Sequence, residues 1–137
     1  MKKHLLYIWL ACVGLAWTAL GQQPSFRSLP DYMVTDHCDP FSKSAVAYLT
    51  ARGIPAVRIT YGWSAFGAGR GYHAAVLFKW NGKFYFMDNA RMGPVPVAGQ
   101  TDLGCIRRVH GQFGTMLWMV QEDKKRVGPR PLKEIFP

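Results

Sequence analysis

The chain has 137 residues, 49% of them hydrophobic, with 17 basic side chains against 8 acidic ones. That length holds one compact domain with a core of its own, excludes two, and needs no disulfide framework to fold. The positive charge favours acidic surroundings, but the basic residues are dispersed. The only dense run, Lys124, Lys125 and Arg126, stands beside Glu122 and Asp123 in what its pattern predicts to be a solvated turn, so no specific nucleic-acid partner is expected.

Lys2 and Lys3 precede an apolar run over residues 5–20, the charged and hydrophobic parts of a secretory signal peptide. The run is short of the ~20 residues that span a bilayer, and Ala19 and Gly21 offer small residues for cleavage after Gly21. Residues 1–21 are therefore assigned to the signal peptide, and the mature protein to the periplasm or the outside of the cell. Membrane contact is expected only before cleavage. The remaining 116 residues keep 15 basic against 8 acidic side chains. Residues 22–35, polar and proline-containing, predict an arm that packs on the domain. The domain itself is placed at 36–122 and a C-terminal tail at 123–137.

Asp39 is a good N-cap, Pro40 a good first helical residue, and Phe41, Ala45, Tyr48 and Leu49 share one helical face. The helix is expected to end near Arg52, before Gly53 and Pro55. Residues 56–61 alternate as a strand does. Residues 62–71 hold four glycines and two aromatics, which predicts a mobile loop without phosphate-binding spacing. Residues 72–80 and 83–89 flank Asn81 and Gly82, a strong hairpin signal. Gly- and Pro-rich sequence follows to Gly99, then a strand over 115–120 and proline-punctuated coil after Gly128. One helix packed on sequence-adjacent antiparallel strands defines the expected class as α+β.

The hairpin fixes geometry. With Trp80 opposite Lys83, Ala75 falls opposite Asp88, and His73 and Asp88 become diagonal neighbours on one face, with alpha carbons about 7–8 Å apart. Asn89 points to the other face in this register, and a one-residue slip would exchange the two. Cys38, at a helix start, meets unpaired N–H groups and the positive end of the helix dipole, a setting that favours a thiolate and can help hold an oxyanion. A cysteine, a histidine and an orienting carboxylate are the parts of acyl-transfer catalysis. The same residues also suit a non-catalytic binding module, in which Cys38 pairs with Cys105 and Trp63, Phe66, Tyr72 and Arg70 hold a peptide or glycan. No paired Cys or His at metal-ligand spacing is present, and no metal or cofactor is expected.

The set resembles the transglutaminase-like core domain family. Cys38, Asp39, Pro40, Phe41 and Ser42 open the helix; Arg52, Gly53, Ile54 and Pro55 close it. Tyr72, His73 and Ala74 follow, then Phe86, Met87, Asp88 and Asn89. The order Cys, His, Asp and the separations of 35 and 15 residues agree with that family. The resemblance covers residues 36–90 and implies a papain-like fold. It makes Cys38 the nucleophile, His73 the base and acid, and Asp88 the residue that orients the imidazole, acting on a peptide or protein amide. The aromatic Trp63 and Tyr72 are the expected substrate contacts. Hydrolysis and transfer to another acceptor both fall within the family, and the molecule is expected to act as a monomer. The chain departs from the family in its short stretch ahead of Cys38 and in Ala75, where many members carry tryptophan.

Overall fold

The computed structural model describes residues 21–111 and 114–137; the signal-peptide assignment, apart from Gly21, lies outside the described residues. The chain forms α1 (Cys38–Thr50), β1 (Ala56–Ala65), β2 (Gly69–Trp80), β3 (Lys83–Met87), β4 (Val95–Val97), α2 (Asp102–His110), β5 (Thr115–Val120), β6 (Arg126–Val127) and α3 (Leu132–Ile135). The strands make one six-stranded antiparallel sheet in the order β4-β3-β2-β1-β5-β6. The class is α+β, as the element pattern predicts.

The sheet is covered on both sides because its central strands bury both faces. On one face Val76, Phe78, Tyr85 and Met87 pack with Phe41, Ala45 and Leu49 of α1 and with Phe26 of the arm. On the other, Ile59, Tyr61, Ala75, Leu77 and Phe86 pack with Leu103, Cys105 and Ile106 of α2 and with Leu132 and Phe136 of the tail. Each buried Val, Leu, Ile, Phe or Met among them stabilises the fold by about 1.5–3 kcal/mol.

Helix α1 begins at Cys38, the start expected from the sequence, with His37 rather than Asp39 as N-cap. His37 makes no capping bond through its side chain, which turns to Asp31. Asp39 is thus inside the first turn, and its carboxylate binds Lys43 and Arg58 instead of the helix end. After Thr50 the chain turns through Gly53, whose φ of +70° lets the Ile54 N–H reach the Leu49 carbonyl and the Gly53 N–H the Thr50 carbonyl. This paired closure is the stop that Gly53 predicts.

The glycine-rich stretch 62–71 is mostly strand rather than loop. β1 continues to Ala65 and β2 begins at Gly69, so only a short turn separates them. The glycines make room for indole rings: a Cβ on Gly62 would lie 2.2 Å from Trp118, and one on Gly71 would lie 3.1 Å from Trp63. Composition alone mimics a loop here, because the missing side-chain volume is supplied by neighbouring strands.

Two further regions depart from expectation. Residues 102–110, left without an element, form α2, with Thr101 as N-cap accepting from Gly104 N–H at 3.0 Å. The tail is not free coil: α3 buries Leu132 and Phe136, and the buried carboxylate of Asp102 accepts from both the backbone N–H and the guanidinium of Arg130. The arm packs as expected, with the Phe26 ring 5.6 Å from Tyr48 and 5.8 Å from Phe78.

Candidate active site

The hairpin turn at Asn81 and Gly82 has positive φ at both residues, 49° and 73°, the conformation that Asn-Gly favours. It sets Trp80 opposite Lys83 and Val76 opposite Met87, the register derived from the sequence. Extended past the end of β3, that register aims Asp88 at His73, and His73 Nε2 lies 3.1 Å from Asp88 Oδ2. Asn89 faces away, and its side-chain N–H donates to the Val34 carbonyl of the arm. The alternative pairing of His73 with Asn89 does not form.

Asp88 is almost wholly enclosed, its side chain 3% exposed, yet both its oxygens are served. Oδ1 accepts from the Ala90 N–H at 3.1 Å, while Oδ2 accepts from His73, with Arg91 Nε 3.6 Å away. Burial would raise its pKa, but the hydrogen bond and charge of His73, the charge of Arg91 and the Ala90 N–H outweigh it and hold the carboxyl below its ordinary value. An ionised Asp88 keeps the proton on His73 Nε2, which leaves Nδ1 as the ring nitrogen able to take a proton from a thiol.

Cys38 and His73 approach from opposite sides of the sheet. His73 alternates onto the face that carries Tyr61, whereas Cys38 belongs to the helix on the other face. Beyond the end of β3, where the edge of β2 is uncovered, both line one cavity of about 430 Å³ with Thr35, Asp36, Tyr72 and Asn89. The arm supplies one wall of this cavity through Met33, Val34 and Thr35. Cys38 is a half-buried free thiol. Its own N–H and that of Asp39 lie ahead of the first intrahelical bond, from Phe41 to His37, and Pro40 has no N–H to compete.

A second cavity of about 420 Å³ opens on the far side of His73. Trp63, Arg91, His110 and Leu117 line it with His73 and Asp88. Trp63 and Tyr72, the expected substrate contacts, therefore border different cavities, with His73 between them. Cys105 is a buried free thiol within α2, and burial first, then the charge of Asp102, pushes its pKa up to about 11. The sheet stands between it and Cys38, so the two thiols are not paired.

Three residues near Asp88 escaped the sequence. His110, at the end of α2, places Nε2 2.8 Å from the Tyr61 hydroxyl and 4.0 Å from Asp88 Oδ2. Burial and the charge of Asp88 raise the Tyr61 pKa, so its hydroxyl stays protonated and donates to His110. Burial and the charge of Arg91 lower the His110 pKa, which keeps that ring a neutral acceptor. Arg91 lays its guanidinium 5.5 Å from the centre of the Phe86 ring, and its buried Nε has no hydrogen-bond partner. His110 was within reach of sequence argument: Thr101 as a cap, Leu103, Ile106 and Val109 at helical spacing, and Arg107, Arg108 and His110 in a last turn outline α2. No comparable signal brings Tyr61 or Arg91 to the site.

Comparison of the chain with protein-family models, curated proteins and solved structures returned no match.

Proposed function

We propose that this chain is an exported cysteine enzyme of the transglutaminase-like, papain-like kind that transfers the acyl group of a peptide or protein amide. The observation that carries the proposal is the 3.1 Å bond between His73 and Asp88 at the rim of the cavity that Cys38 lines. The fold supports it: a helix that starts at the cysteine packs on an antiparallel sheet whose adjacent strands bring the histidine and the carboxylate together.

In the first step the Cys38 sulfur attacks the amide carbonyl, its proton passes to His73 Nδ1, and the carbonyl oxygen becomes an oxyanion within reach of the Cys38 N–H. The positive charge gained by the imidazole is balanced by Asp88. Collapse of the tetrahedral adduct breaks the C–N bond, and His73 gives its proton to the departing amine, leaving a thioester on Cys38. Water, or an amine from a second molecule, then attacks the thioester while His73 takes the incoming proton, and the thiol is regenerated. Trp63 and Tyr72 border the two cavities that flank His73 and contact the substrate on either side of the scissile bond. The protein acts in the periplasm or outside the cell, as a monomer.

Mass-spectrometric mapping of iodoacetamide labelling tests this reading without knowledge of the substrate. Cys38 is expected to react much faster than buried Cys105, and the rate is expected to drop in His73→Ala. Slow labelling of Cys38 that ignores His73 would remove the activated nucleophile and with it the enzyme.

A further inference from the structure

The sheet face that α1 covers continues beyond the helix. Antiparallel register places side chains on this face in rows: Val76 with Arg58, then Ala74 with Thr60, Val120 and Arg126, then Tyr72 with Gly62 and Trp118, then Arg70 with Ser64 and Met116. The helix reaches only the first of these, where Ser42 and Asp39 bond Arg58. The next rows lie past its N-terminal end, and Ser64, Arg70, Tyr72, Met116, Trp118, Lys124 and Arg126 line a groove of about 620 Å³ there.

The groove is basic and aromatic. Arg126 stacks 4.5 Å from the Trp118 ring centre and Lys124 sits 5.1 Å from that of Tyr72. Gly62 is what allows Trp118 to lie against the strand, since a Cβ there would be 2.2 Å from its ring. The basic run that the sequence presents as a solvated turn therefore splits in two. Lys125 turns to Asp123, while Lys124 and Arg126 join Arg70 over the aromatic row. No carboxylate lines the groove, and among the described residues none of these three cations makes an ion pair; nearby Asp39 and Glu122 are both held by Arg58. Three unbalanced cations, two of them ordered on aromatic rings, complement an anionic occupant.

Tyr72 lines both this groove and the cavity of Cys38. An occupant that follows the groove past Tyr72 arrives at the thiol, so it must carry the bond that the thiol attacks. We infer that the groove binds an acidic segment of a polypeptide substrate adjoining the scissile amide. This rests on the catalytic reading above and adds a substrate class to it.

The test uses the Cys38→Ala full-length mature protein, which binds without turnover, and fluorescence anisotropy of labelled peptides about 12 residues long. The acidic probe is rich in Asp and Glu around a central Gln; the control replaces each acidic residue by Lys. The acidic peptide is expected to bind at least about tenfold more tightly, with affinity that falls as salt is raised. Adding Arg70→Glu and Arg126→Glu, with folding checked by circular dichroism, is expected to remove that preference. Equal binding of both peptides, or a preference untouched by the charge reversals, overturns the inference. A sulfated polysaccharide or a single-stranded oligonucleotide that binds tighter than the acidic peptide, and loses binding in the same variant, also overturns it, because the groove then belongs to another polymer. The iodoacetamide experiment separates the two readings. Activated Cys38 without an acidic preference removes the groove assignment and leaves the enzyme, whereas acidic binding without an activated Cys38 removes the enzyme and with it the substrate role of the groove.

Discussion

On the proposed mechanism Cys38, His73 and Asp88 carry unequal burdens, and substitutions separate them. Cys38 is half-buried and contributes little to the core, so Cys38→Ala is expected to abolish turnover with the melting temperature nearly unchanged. Asp88→Asn leaves the base in place but loses its tautomer control, and kcat is expected to fall by about 10²–10⁴ and not to zero. Two depressed pKa values also set a pH dependence of stability. The ionised Asp88 stabilises the fold above the ordinary carboxylate range, and that contribution is lost as pH falls through its lowered folded value. For His110 the unfolded ring takes up a proton near pH 6.5 while the folded ring stays neutral, so the fold again loses stability as pH drops below about 6.5. Melting curves at pH 7.5 and 5.5 are expected to differ less for His110→Gln, which keeps a hydrogen-bond acceptor for Tyr61, than for the wild type.

At the scale of elements, β1 shows how a glycine is chosen by a neighbour distant in sequence. Gly62→Ala sets a methyl 2.2 Å from the Trp118 ring, against a strand backbone that cannot yield. The indole must leave its place, and a loss of about 1–3 kcal/mol is expected, with a shifted tryptophan emission maximum to mark the movement. The same residue explains what the sequence could tell. Local signals were legible wherever the chain settles its own conformation: Gly53 stops α1, and Asn81 with Gly82 sets the register that carries Asp88 to His73. Non-local ones were not. That Gly62 and Gly71 belong to strands depends on Trp118 and Trp63, and that His110 stands at Asp88 depends on α2 crossing the far face of the sheet. The N-cap of α1, His37 rather than Asp39, was hidden for a related reason, since the Asp39 carboxylate binds Arg58 and Lys43 instead of the helix end.

The whole molecule is closed by its last residues. Leu132 and Phe136 complete the core beneath α2, and Thr101 bridges to Pro131 as Asp102 grips Arg130. Ending the chain after Gly128 removes both apolar side chains and exposes the core residues they cover. At about 1.5–3 kcal/mol for each, the loss is expected to approach half of the stability usual for a domain of this size and to lower Tm by about 10 °C or more.

The sheet that separates the two described thiols also decides how the molecule meets oxidants. Cys105 is buried within α2 on one side and Cys38 opens to a cavity on the other, so among the described residues Cys38 has no resolving thiol. A sulfenic acid formed on it is open to a thiol from outside, giving a mixed disulfide or a covalent dimer, or to further oxidation to an irreversible form. Brief peroxide treatment of the mature protein is therefore expected to produce a dimer band on a non-reducing gel that dithiothreitol removes and Cys38→Ala never forms. On the proposed function, such a protein in an oxidising compartment depends on an external reductant to keep Cys38 reduced, because the sheet places Cys105 out of reach.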